Sequence, residues 1–196
     1  MNLIRPEPQF KVKLAASPEE LYAAQRLRYD VFVKELGGKG SFVDHDNQLE
    51  RDTYDPYCDH LLLYDEARNA QNGNAVVGVY RILTSERAAE LGRFYSEDEY
   101  DLDVLKSSGR KLMELGRSCL HPEYRGGTAM LHLWQALSHY IMKRDIEILF
   151  GVASFHGTQV EAIKEPLSLL YYNHLAPLEL RVVAKHPHYQ SMDLIV

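Results

Sequence analysis

Cysteine is scarce in this chain: Cys58 and Cys119 are the two it has, far apart and without metal-ligand spacing. That scarcity excludes a disulfide-stapled scaffold and points to a reducing compartment. Long hydrophobic runs are missing as well. No stretch of about 18 apolar residues occurs, so nothing reads as a membrane span. The N-terminal MNLIRPEPQF lacks the apolar centre of a secretory signal. The expected location is the cytoplasm, with contact at the inner face of a membrane left open. Positive charge is in deficit, with 22 Lys and Arg against 28 Asp and Glu and a formal net charge of −6. No basic patch with interleaved aromatics appears, which argues against nucleic acid as a partner. An acidic protein partner stays compatible, because Arg110, Lys111, Arg117, Arg125, Lys143 and Arg144 gather around the middle of the chain.

The composition present, 45% hydrophobic and 26% charged over 196 residues, suits one globular domain. The chain is organised around Lys111 to Tyr140. Leu112, Met113, Leu115 and Leu120 read as a strand, Pro122 ends it, and Gly126-Gly127 open a turn. Met130, Leu133, Trp134, Leu137, Tyr140 and Ile141 then recur at helical spacing. A glycine-bearing turn feeding a helix leaves free backbone N–H groups at the helix start, which attract phosphate. Glu114 and Arg117 are charges inside an otherwise apolar strand.

Before this unit, Phe10 to Leu14 reads as a strand and Ser17-Pro18-Glu19-Glu20 as a helix start with a capping box. That helix is expected to run to about Leu36 and stop at Gly37-Gly38. Gly37 to Tyr57 reads as a long polar loop, a mobile solvated lid in its plainest form. A metal site drawn from Asp44, His45 and Asp46 is disfavoured, because three adjacent residues rarely hold one ion together. Asp59 to Tyr64 and Ala75 to Leu83 read as a hairpin turning near Asn72-Gly73, with Arg81 interrupting the second strand. Glu86 to Leu91 is expected to be a short helix and Phe94 to Lys106 a second one. Ile146 to Ser154 reads as a buried strand broken by Phe155-His156-Gly157. Thr158 caps a helix running to about Asn173, and Leu180 to Ala184 reads as a further strand. Strands mixed with helices in this order give an α/β sheet with helices on its faces.

The segments RLRYDVFVKE (26–35), DTYDPYCDHLL (52–62), VVGVYRIL (76–83), ELGRSCLHPEYR (114–125), LHLWQAL (131–137), FGVASFHG (150–157) and LSLLYYNHLAP (167–177) run in order through most of the chain. Together they resemble the acyl-carrier-protein-dependent ornithine N-acyltransferases of ornithine-lipid synthesis. That family is similar in fold and motif to the acyl-homoserine-lactone synthases, and the element order is similar to the GNAT N-acyltransferase fold. The resemblance implies a GNAT-like mixed sheet flanked by helices. It implies transfer of a (3-hydroxy)fatty acyl group from acyl carrier protein to the amine of ornithine, giving a lyso-ornithine lipid. Lysine or glutamine are the related acceptors. The acyl-carrier thioester is then a co-substrate, and neither a bound cofactor nor a metal is implied.

Carried over residue by residue, the resemblance implies an acceptor set of Arg28, Phe32, Asp52, Asp55, Arg81 and Arg117. Arg81 or Arg117 would hold the acceptor carboxylate and Asp52 or Asp55 its side-chain ammonium; a structural Asp–Arg ion pair is the competing reading. Glu114, a carboxylate in a dry strand, is the expected general base. Backbone N–H groups near Cys119 and Leu120 are candidates for the oxyanion, given a bulge or splay there. With Arg125, Gly126, Gly127 and Thr128 these residues make the expected carrier and phosphopantetheine site. Tyr171 or Tyr172 is the expected acid for the leaving thiolate. His60 and His156 are expected to be structural, and Cys119 a packing residue beside the carrier channel.

Departures from the pattern set the competing readings. The lactone synthases carry tryptophan six residues after the phenylalanine, where this chain has Gly38. That weighs against a lactone synthase using S-adenosylmethionine. Arg125-Gly126-Gly127-Thr128 keeps the arginine of the general GNAT phosphate loop and shifts its glycines. The chain stops at MDLIV, where the resembled family continues with a Leu- and Gly-rich segment. The expectation is a single domain over 1–196 lacking that segment, and a non-catalytic GNAT-like binding domain is the third reading.

Overall fold

The structure, a computed structural model, describes residues 7–40, 42–68, 75–155, 157, 159–187 and 189–195. Strands β1 (Phe10–Leu14), β2 (Asp59–Asp65) and β3 (Val76–Thr84) form an antiparallel meander. β2 and β3 carry continuous apolar runs at 61–64 and 76–80, and both strands are buried on both faces. β4 (Tyr100–Asp101) lies outside this sheet. β5 (Leu112–Leu120) runs antiparallel beside β3, and β6 (Ile148–Phe150) runs parallel beside β5. The order across the sheet is β1-β2-β3-β5-β6. β7 (Val183–Ala184) pairs with β4 in a separate two-stranded ribbon. The hairpin turn at Asn72-Gly73, His156 and the Thr158 cap fall outside the described residues.

Period-two alternation sends the side chains of β2 to opposite faces, and the bulge where β3 passes Leu63 and Tyr64 puts Val77 on the face opposite Val79. On one face Leu61, Leu63 and Val77 pack against Leu133, Leu137 and Tyr140 of helix α4 (Ala129–Arg144). On the other, Leu62, Val79 and Cys119 pack against Ala24 and Leu27 of helix α1 (Pro18–Arg28) and Val31 beyond it. Three helices complete the set: α2 (Ser85–Leu91), α3 (Asp103–Lys106) and α5 (Val160–His174).

Ser17 Oγ caps α1 by accepting Glu20 N–H at 3.3 Å, as the sequence suggests. The Glu20 carboxylate, however, accepts Ala16 N–H at 2.7 Å rather than closing a box on Ser17. The helix does not continue as one α-helix to Leu36. Beyond Arg28 it widens into a π-helical segment, Tyr29–Glu35, in which Leu36 N–H reaches back five residues to Val31 O at 3.1 Å. Gly37 at φ +69 ends it, and Gly38 N–H bonds Phe32 O at 2.8 Å. A Cβ at Gly38 would stand 2.6 Å from that same oxygen, so this turn leaves no room for a tryptophan there.

Three other expectations need correction. Phe94 to Lys106 is not one helix: a 3-10 turn at Tyr95–Asp98, whose first N–H groups are capped by Glu114, gives way to β4, which pairs with β7, and then to α3. Of Ile146 to Ser154 only Ile148–Phe150 is paired strand. Gly151 then crosses Leu115 O so closely that a Cβ would lie at 2.2 Å, and the chain leaves the sheet. Leu180 to Ala184 is a 3-10 turn at Leu178–Leu180 followed by the two residues of β7.

Candidate active site

β5 and β6 pair only through Leu112 with Ile148, Met113 with Leu149 and Glu114 with Phe150. Beyond that point they separate. A cavity of about 850 Å³ fills the gap, with Glu114 to Ser118 on one wall and Val152 to Phe155 on the other. Phe32, Leu36 and Gly38 close it from the π-helical segment, and Tyr54, Cys58, Arg81 and Tyr95 form its floor. The volume suits a ligand of small-molecule size.

β5 carries a bulge at this wall. Val79 pairs with Cys119 and Arg81 with Gly116, so three steps along β5 match two along β3. Arg117 takes the strained conformation, at φ +49. Farther along, His121 N–H donates to Val77 O at 2.8 Å, so residues of that parity face β3. Cys119 shares the parity; Leu120 does not, and its N–H points to the edge that β6 has left. The Leu120 carbonyl on that edge accepts Arg125 Nε at 3.2 Å.

Beside the bulge lies a network of arginines and carboxylates. Arg28, fully buried, donates to Glu50 Oε2 at 2.5 Å, to Glu50 O at 2.7 Å and to both Asp55 oxygens at 2.8 and 3.0 Å. Gln25 Nε2 adds a bond to Asp55 at 2.8 Å. Arg81 Nη1 donates to both oxygens of Asp52 at 2.7 Å and to Asp55 at 3.0 Å. Arg117 donates to Glu50 at 3.0 Å and, weakly, to Asp52 at 3.4 Å. Three guanidiniums thus meet three carboxylates, which is how charges survive burial. Burial pushes the Asp55 carboxyl up, but the Arg28 charge and hydrogen bonds, then Arg81, outweigh it and hold it down at about 2.

Glu114 stands apart from this network. It is buried, and its carboxylate meets no arginine or lysine among the described residues. Oε2 accepts Tyr95 N–H at 2.7 Å; Oε1 accepts Ser96 N–H at 2.7 Å and the Ser96 hydroxyl. Each carboxylate oxygen offers two lone pairs, so Oε1 is saturated and Oε2 keeps one.

Comparison with known proteins joins these features to a family. Residues 27–135 match the acetyltransferase (GNAT) domain. An L-ornithine N(alpha)-acyltransferase of Rhodobacter capsulatus is 54% identical over 95% of this chain and 71% of its own length. One from Brucella abortus is 41% identical over 94% of this chain, which spans 66% of that relative. The chain belongs to the L-ornithine N(alpha)-acyltransferase family of GNAT proteins. The AHL synthase LasI shares the fold, with a TM-score of 0.53 at 20% identity, over 82% of this chain and 79% of LasI.

Within this GNAT chain the sequence-derived candidates separate into groups. Phe32, Arg81, Glu114 and Arg117 line the cavity. Arg28 and Asp55 lie behind it as a buried ion pair, and Asp52 and Asp55 are both taken by arginines, which is the structural reading of those positions. The Cys119 side chain is buried in the core under α1, away from the cavity wall. Gly126, at φ +75, and Gly127 are exposed ahead of α4, whose first backbone bond is His132 N–H to Thr128 O. Arg125 is half-exposed and grips Glu35 through two bonds of 2.6 and 2.7 Å. Tyr171 and Tyr172 lie on α5 with rings edge to face, and neither lines the cavity; Tyr172 donates to Asp193.

Sequence reasoning missed Glu50, Gln25, Tyr54 and Tyr95. Leu49, an apolar residue buried within a polar loop, was the available signal for Glu50. Only the second part of the loop departs from a solvated lid: Gly37 to Gln48 stay largely exposed where described, whereas from Leu49 on the chain turns inward, with Glu50 N–H bonding Gln25 O at 3.1 Å and the Glu50 and Asp55 side chains buried. Asp44 bonds Asn47 and Arg51, whereas His45 meets the Tyr29 hydroxyl, so these neighbours serve different partners.

Proposed function

We propose that this chain transfers a (3-hydroxy)fatty acyl group from acyl carrier protein to the α-amine of ornithine, releasing a lyso-ornithine lipid. The names of its relatives support the acceptor. The splayed cavity supports a thioester arm lying between β5 and the chain after β6. The donor is a co-substrate, and the reading calls for no resident cofactor. No helix among the described residues is long and apolar enough to cross a membrane. The work is assigned to the cytoplasm, with the product passing to the membrane's inner face.

The observation that carries the reading is Glu114, the buried cavity carboxylate with no cationic partner among the described residues. Its free Oε2 lone pair takes a proton from the acceptor ammonium, directly or through water. The freed amine attacks the thioester carbonyl, and a backbone N–H on the open edge of β5 donates to the developing oxyanion. The C–S bond then breaks and the amide forms. Tyr171 is the proposed source of a proton for the thiolate, delivered through water because neither tyrosine lines the cavity; the Tyr172 hydroxyl is committed to Asp193. Gly126, Gly127 and Thr128 leave the first N–H groups of α4 to hold the carrier's phosphate. Arg125 is charge-balanced by Glu35 and steadies that turn. Arg81 and Arg117 take the acceptor carboxylate, and Phe32 covers the acceptor from above.

The test is to incubate purified protein with 3-hydroxyacyl carrier protein and ornithine, lysine, glutamine or S-adenosylmethionine in separate reactions. Mass spectrometry should find acylated ornithine in preference to the others. A lactone from S-adenosylmethionine, or no adduct from any acceptor with folded protein and intact carrier, would overturn the reading.

A further inference from the structure

We infer that Tyr95 is a positioning residue that sets which amine of the acceptor is acylated; this rests on the ornithine reading above. The Tyr95 ring lies within reach of both arginines on the cavity floor. Arg117 Cζ sits 4.9 Å from its centroid and Arg81 Cζ 5.6 Å. Tyr54 braces the ring edge-on at 5.3 Å and also meets Arg81 at 5.8 Å. An aromatic face attracts guanidinium charge, so one ring holds two like charges beside each other that would otherwise repel.

Those guanidiniums are not exhausted by the network behind them. Arg81 spends Nη1 on Asp52 and Asp55, and its Nε and Nη2 make no hydrogen bond among the described residues. Arg117 spends Nε and, weakly, Nη2, leaving Nη1. Both side chains line the cavity. Their uncommitted N–H groups form a receptor for one carboxylate, and its geometry depends on the ring they share.

Tyr95 is also fixed to the candidate base, because its own N–H bonds Glu114 Oε2 at 2.7 Å. One residue therefore links the carboxylate receptor to the proton acceptor. In ornithine the α-amine and the carboxylate share a carbon, and the δ-amine is three methylenes farther away. With the carboxylate gripped beside Tyr95, the α-amine comes to Glu114 and the δ-amine does not. The ring thereby converts recognition of an α-amino acid into a choice of nucleophile.

The experiment compares wild type, Tyr95→Phe and Tyr95→Leu with ornithine and with ornithinamide, which has no carboxylate. Products are sorted into Nα- and Nδ-acyl isomers by tandem mass spectrometry. Tyr95→Leu should raise the ornithine KM about tenfold, leave the ornithinamide and donor KM values near wild type, and increase the Nδ share. Tyr95→Phe keeps the ring and should restore wild-type selectivity. General damage to the fold would slow both acceptors alike. An unchanged ornithine-over-ornithinamide preference in Tyr95→Leu overturns the inference, as does a Tyr95→Phe loss equal to that of Tyr95→Leu. Absence of acylated ornithine with wild type overturns the parent reading and this one with it.

Discussion

Arg28 and Asp55 meet in the interior through bonds of 2.8 and 3.0 Å, with side-chain exposures of 0% and 2%. Replacing Asp55 by Asn would leave the buried network of Arg28, Arg81 and Arg117 one negative charge short, with Glu50 and Asp52 as its remaining carboxylates. The expected cost is about 3–5 kcal/mol in denaturant unfolding. The pair also gives an acid limit. Asp55 is held at about 2, below an unfolded value near 3.9, so its contribution is complete above the higher value and lost as pH falls through the lower. Unfolding midpoints between about pH 4 and pH 2 should lose roughly 2 kcal/mol of wild-type stability to this group. Asp55→Asn should show a flatter profile across that range.

His60 predicts a second pH dependence, nearer neutrality. Burial pushes its pKa down, and the charge of Asp55 only partly opposes this. Nε2 lies 3.2 Å from Asp55 O, whereas Nδ1 is buried with no hydrogen-bond partner among the described residues. The folded protein keeps this ring neutral while the unfolded chain protonates it below about 6.5. Stability should therefore be full above that value and decline as pH falls below it. Urea midpoints at pH 7.5 and 5.5 should differ more for wild type than for His60→Gln; equal differences would remove His60 as the cause.

Cys58 lines the cavity and invites an acyl-enzyme mechanism, which its environment disfavours. Burial pushes its thiol up to about 12, and Cys119, buried under α1, goes the same way to about 12. At pH 8 about one thiol in ten thousand would be ionised, and the thiolate is the nucleophile. Intact-protein mass spectrometry after mixing with acyl carrier thioester alone should show no acyl adduct. Iodoacetamide should label Cys58 at least about 100-fold more slowly than a free cysteine. An acyl mass on Cys58 would replace direct transfer by a two-step route.

Much of this site was legible in the sequence because its residues interrupt local patterns. Glu114 and Arg117 are charges within an apolar strand, and Arg81 breaks β3; all three line the cavity. Gly126-Gly127 announce the turn before α4 without any knowledge of the sheet. Other features depend on contacts that sequence spacing does not carry. The π-helical widening after Arg28 arises from a five-residue hydrogen bond and a glycine packed on Phe32 O. β6 reads as nine residues because apolar side chains continue past Phe150, whereas the close crossing at Gly151 turns the chain away. Tyr95 sits among acidic residues in the sequence, and only the Glu114 carboxylate, nineteen positions away, brings it to the site.

The central claim is that Glu114 receives the acceptor's proton in an ornithine acyl transfer. Its most direct test is single-turnover acylation of ornithine by wild type and Glu114→Gln, followed by mass spectrometry across pH, with Ser96→Ala as the control that loosens the same carboxylate without removing it. The account predicts Nα-acyl-ornithine from wild type and a fall of about 100-fold or more in the Gln variant. Ser96→Ala should retain most of the rate. A Glu114→Gln variant that turns over at the wild-type rate with the same pH profile would contradict the claim.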